Sequence, residues 1–130
     1  MTGASQSDTP AGEELPSTDQ AALDRLKRFG GGKLLGEMIG LFLSTAPERL
    51  AAAHAGFDAG DVPATEMALH SLKSSSAQLG AMKMQRICEQ GELLARAGTL
   101  ADVGGLLQQL DHEFPRVQAW LERARSTETA

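Results

Sequence analysis

Tyrosine is absent from this chain, and aromatic residues make up only 4% of it. A core without them must be assembled from Leu, Ala, Ile, Val and Met. With β-branched and aromatic strand formers so scarce, that palette points to helices rather than sheets. Cysteine occurs once, at Cys88, so no internal disulfide can form and a reducing compartment is expected. Positive charge is in deficit: the net charge of −5 argues against the clustered Lys and Arg that neutralise nucleic-acid phosphates. No apolar run approaches membrane-spanning length. The opening MTGASQSDTPAGEELP lacks both the basic start and the apolar stretch of a secretory signal. A soluble cytoplasmic domain, bound to neither nucleic acid nor membrane, is therefore expected.

What is present is enough for one domain: 130 residues, 42% of them apolar, can bury a real core but not two. Residues 1–16 are small, polar and Pro-containing and read as a flexible tail, which leaves 17–126 as the folded unit. Ser17 followed by Gln20 reads as a capping box, opening a short helix with Leu23, Leu26 and Phe29 as its stripe and Gly30 to Gly32 as its stop. Leu34, Leu35, Met38, Leu41 and Phe42 follow at helical spacing. Pro47 either starts a new helix or kinks a continuous one. Gly60 and Asp61 read as a stop and the next N-cap, for a helix from Val62 to about Leu79 that Gly80 ends or bends. Further helices are expected over 82–97, with Gly98 as stop, and over 100–126, bent at Pro115. Long amphipathic helices joined by short Gly-containing connections predict an all-α fold, an antiparallel up-down four-helix bundle with an additional short N-terminal helix.

One stretch, ALHSLKSSSAQLGA (68–81), decides the functional reading. Wound at about 100° per residue, the helix places Val62, Thr65, Leu69, Leu72, Ser76 and Leu79 on one seam. That seam holds most of the large aliphatics and must be the buried side. His70 then projects about 135° from its centre, so a core histidine is excluded. Its stripe carries Glu66, Lys73, Ser74, Ala77 and Ala81. Small residues beyond the ring leave a low floor for an approaching protein, so Glu66, Ser74, Ala77 and Ala81 are the expected docking surface. Lys73, at i+3, can swing its ammonium towards whatever the ring carries. Exposed imidazole is substantially neutral at pH 7 and needs no strong base to act as a nucleophile. An open imidazole beside a cation is what accepting a phosphoryl group requires, although by itself the same pattern also describes an ordinary solvated face.

Other constellations carry less. GGGKLL (30–35) hints at a phosphate loop, but Lys27 and Leu34 stand where that motif needs Gly and Ser or Thr, so ATP binding is rejected. Without a nucleotide site the chain is not an autonomous histidine kinase. His54, His70 and His112 form no metal-ligand pairs. Cys88 lies on an apolar face as a packing residue.

The string AxxHSLKSSSAQLGA, followed by ICEQGELLARAG, resembles the histidine-containing phosphotransfer (HPt) domain family. The family pattern is matched at His70, Leu72, Lys73, Ser75, Ser76, Leu79, Gly80, Cys88, Glu92, Arg96 and Gly98, and the resemblance spans about 34–121. It implies that His70 is phosphorylated on its ring, that Lys73 neutralises the phosphoryl group, and that Glu92 accepts a hydrogen bond from the other ring nitrogen. It further implies a multistep two-component phosphorelay, in which response-regulator receiver domains and a hybrid sensor histidine kinase are the partners. A receiver aspartyl phosphate would load His70, and a second receiver aspartate would unload it. Mg²⁺ would come with the receiver, the chain bringing no cofactor or metal of its own and acting as a monomer. Ser74 departs from the family's usual Gly, and Gly91 from its usual Leu. The alternative reading is a non-catalytic helical module that docks receiver or kinase domains without transfer; a purely structural bundle is the third.

Overall fold

The structure, a computed structural model, describes residues 17–129; the expected tail over 1–16 lies outside them. Among the described residues there are helices and turns and no strand. In chain order they are α1 (Gln20–Asp58), α2 (Val62–Leu79), α3 (Met82–Arg96), a 3₁₀ turn (Leu100–Asp102) and α4 (Val103–Thr129). Each α-helix packs on the one before it, and α4 packs back on α1.

Local chemistry explains most of the boundaries. Asp61 caps α2 by accepting from the Ala64 amide at 3.1 Å, directly after Gly60 in the left-handed region (φ 68°). Gly80 ends α2 at φ 76°, and its amide and that of Ala81 return to carbonyls of the last turn. A Cβ at Gly80 would also lie 2.6 Å from the Asp19 carbonyl oxygen. Both the backbone conformation and the close approach therefore demand glycine there. The reward is a tether, since the Asp19 amide donates to the Gly80 carbonyl at 2.8 Å and holds the start of α1 against the α2–α3 turn.

Three expectations about α1 are corrected. Its cap is Asp19, which accepts from the Ala21 amide at 3.1 Å, not a Ser17–Gln20 box. Ser17 instead donates to the buried Glu113 carboxylate of α4, a tertiary partner that outcompetes the local one, while Gln20 donates to Asp24. Phe29 is exposed rather than part of the stripe, because it sits on the last turn before Gly31, whose φ of 80° and ψ of 176° break the helical path. The same kink is the stop expected at Gly30 to Gly32. Leu41 is exposed too, and the inward face runs instead through Leu35, Ile39, Phe42, Ala46, Leu50 and Ala53. Of the two readings of Pro47, the continuous helix is the observed one.

The core is aliphatic, as the composition requires. Leu23, Ile39, Leu69, Leu72, Leu79, Met84, Leu107, Leu110 and Leu121 are fully buried. One aromatic contact, Phe42 with Phe114 at 6.2 Å between ring centroids, ties α1 to α4. Removing one of these large side chains costs about 2–5 kcal/mol, so this core makes α2 and α3 a rigid support for what projects from them.

Candidate functional site

The buried seam of α2 is Thr65, Ala68, Leu69, Leu72, Ser76 and Leu79, the expected set with Val62 half-buried and Ala68 added. Burying that seam turns His70 outward, where its side chain is 61% exposed. The imidazole is nonetheless held. Its Nδ1 lies 2.8 Å from Oε2 of Glu92 on α3. A carboxylate can only accept, so Nδ1 carries the proton and the lone pair of the neutral ring sits on Nε2. Nε2 is on the opposite edge of the ring from Glu92, towards water. Geometry thus supplies a nucleophilic nitrogen of defined tautomer.

Glu92 is the hub of this arrangement. Its side chain is only 4% exposed, yet it makes three polar contacts. Lys73 Nζ reaches Oε1 at 2.8 Å, and Arg96 Nη2, one helical turn further along α3, donates to Oε2 at 2.9 Å. Burial pushes the carboxyl up, but hydrogen bonds from Lys73 and His70, reinforced by their charges, outweigh it and hold Glu92 below the usual carboxylate range. Glu92 is therefore an anion throughout the neutral range. Arg96 is in turn braced by Glu66 of α2, Nε to Oε2 at 2.8 Å. Two helices are cross-linked by polar contacts, His70 and Glu66 from α2 with Glu92 and Arg96 from α3.

α2 and α3 meet closely at a small residue. A Cβ at Gly91 would stand 2.9 Å from Leu69 Cδ1. Leu69 therefore fills the space over Gly91 that a side chain on α3 would otherwise occupy. Beneath the site, Cys88 is fully buried, and its thiol is pushed up to about 12, by burial first and by the Glu92 charge second, against a lowering from Lys73. It is a packing residue and no nucleophile.

Of the expected docking residues, Ser74 and Ala77 are exposed and Glu66 is half-buried against Arg96. Ala81 is corrected: it is fully buried. The left-handed turn at Gly80 changes the chain direction, so helical phase no longer carries Ala81 onto the His70 stripe; it is the N-cap of α3 instead. Two features were missed. Arg96 matched the family string without being given a role, although its i+4 spacing from Glu92 was a usable signal. The other is the wall that α1 contributes. Leu41, Thr45 and Arg49 face His70, Ser71 and Ser74 across an open groove of about 320 Å³. A helical wheel shows which way a side chain points, not which helix lies beside it.

The model of the Hpt domain family matches residues 37–120. Among solved structures, histidine-containing phosphotransfer protein B (HptB) from Pseudomonas aeruginosa PAO1 is similar at 28% identity, with a TM-score of 0.82 over 87% of this chain and 97% of that one. The HPT domain of the Hpt sensor hybrid histidine kinase from Shewanella is similar at 19% identity and a TM-score of 0.75, over 88% of this chain and 97% of that one. No curated protein sequence matches.

Proposed function

The chain belongs to the Hpt domain family, and on that premise we propose that it relays phosphoryl groups in a phosphorelay through His70. Histidine phosphotransfer is the family's activity, shared with the similar HptB. The assignment to His70 is carried by one observation: an exposed imidazole whose Nδ1 is fixed on Glu92 at 2.8 Å, with Nε2 left facing water.

In the forward step the Nε2 lone pair attacks the phosphorus of a receiver aspartyl phosphate. The P–Nε2 bond forms, the P–O bond to aspartate breaks, and the carboxylate leaves with the electron pair. The Nδ1 proton stays in its bond to Glu92, which offsets the positive charge that develops on the ring. A second receiver aspartate reverses these bond changes and unloads the group. Lys73 rests on Glu92, and its long side chain allows it to turn to the phosphoryl oxygens once they arrive, while Arg96 keeps Glu92 neutralised. Glu92 and Glu66 already hold cationic side chains, a poor donor set for a resident metal. We therefore assign Mg²⁺ to the receiver, where it would offset charge on the transferring oxygens.

Finer elements of the reading rest on similar support. The short α1–α2 and α2–α3 connections favour an antiparallel up-down bundle, with the segment before Gly31 as its additional N-terminal helix. Response-regulator receivers and a hybrid sensor kinase are the proposed partners of a monomeric, cytoplasmic protein; no described helix is long and apolar enough to cross a membrane.

Incubation with phosphorylated receivers tests the reading. A label that is stable in alkali, labile in acid and lost in His70→Gln is expected. Binding without transfer across a panel of receivers would favour the docking module instead, and a label that persists in His70→Gln would overturn the assignment.

A further inference from the structure

The charges around His70 are unevenly engaged. Lys73 and Arg96 are tied to Glu92 and Glu66, so that cluster is internally balanced before any phosphoryl group arrives. Arg49 is different. It lies on α1, across the groove from His70, Ser71 and Ser74, and among the described residues it makes no ion pair or side-chain hydrogen bond. With Nδ1 turned to α3, the reactive edge of the ring faces away from Glu92, and Arg49 stands on a groove wall that neither Lys73 nor Arg96 occupies.

We propose that Arg49 is the second cation of phosphoryl transfer, engaging from α1 the oxygens of the group carried on His70 Nε2. This rests on the assignment of transfer to His70. Phosphorylation places close to two negative charges on an imidazole whose neighbouring cations are already shared with carboxylates. A guanidinium without a partner gives up no existing ion pair to meet them, and its fork of donors matches a phosphoryl face. Lys73 must first leave Glu92; Arg49 need not. Thr45 and Ser74, on the two walls of the same groove, are short enough to leave the guanidinium room to reach across. The two cations would then flank the phosphoryl group, Lys73 from the α3 side and Arg49 from the α1 side.

Phosphoramidate isolates this chemistry from any protein partner: its P–N bond breaks, ammonia leaves, and the P–Nε2 bond forms on the chain alone. Arg49→Ala should label about fivefold more slowly than the unaltered chain, the effect of one partly screened charge, while Arg49→Lys stays within about twofold. Arg116→Ala, removing an exposed cation of α4, should change nothing. In the labelled protein, ³¹P NMR should show the phosphoryl titration midpoint rising by about half a pH unit in Arg49→Ala, because a lost cation favours the protonated phosphate. Labelling of Arg49→Ala at the unaltered rate, or an unmoved ³¹P midpoint, would overturn the proposal even with His70 confirmed as the acceptor. A label that survives in His70→Gln would instead overturn the functional reading beneath it.

Discussion

Among the described residues there are two imidazole–carboxylate pairs of nearly equal length. His70 meets Glu92 at 2.8 Å across α2 and α3, and His54 meets Asp111 at 3.0 Å across α1 and α4. Distance does not separate them; the carboxylate does. Asp111 is 49% exposed, and Glu92 is 4% exposed. An exposed aspartate in water exchanges its partner for solvent at little cost, so the His54 pair is worth little and orders little. A buried glutamate must keep its partners, and here three donors converge on it from two helices. Burial of the acceptor, more than closeness of the donor, turns an ion pair into a positioning device.

The sharpest way to break this comparison is to remove each imidazole. His70→Gln should abolish acid-labile labelling by a phosphorylated receiver, and His54→Gln should leave it unchanged. Next in size is removal of each carboxylate. Glu92→Ala should slow labelling by about tenfold or more, through a freed ring and a wrong tautomer, whereas Glu92→Gln, which can still accept from Nδ1, should recover most of the rate. Asp111→Ala should not affect transfer, and urea titration should find its stability within about 0.5 kcal/mol of the unaltered chain. Arg96→Ala should slow labelling by about threefold, as Glu92 loses one of its two cationic braces.

Acid sharpens the comparison further. The Glu92 carboxyl is held below its usual range, so its contribution to stability is present above the unfolded value and lost as pH falls through the lower folded one. Urea midpoints measured from pH 6 to pH 3 should fall in the unaltered chain and fall less steeply in Glu92→Gln. An equal slope in the two would show that the convergence on Glu92 contributes nothing to folding.

Much of α2 was legible in the residues. Gly60 and Asp61 announce its start, Gly80 its end, and the alternating steps of three and four through Thr65, Leu69, Leu72 and Ser76 place His70 outside. These are local rules, and within one helix a local rule reaches its whole length. The family resemblance added Glu92, which helical phase could not pair with His70. Local reasoning failed wherever a competing partner lay far along the chain. Ser17 left its expected cap for Glu113, 96 residues away. Ala81, one residue past a left-handed glycine, followed a new helix into the core.

Helix positions, the composition of the core and the outward projection of His70 were determined by the sequence alone, because sterics, hydrogen bonding and apolar periodicity act over a few neighbouring residues. Only the tertiary structure decided that Glu92 is buried and shared among His70, Lys73 and Arg96, and that Arg49 stands across the groove with no ion pair among the described residues. Those outcomes depend on which helices lie side by side, and the burial of many residues together sets that.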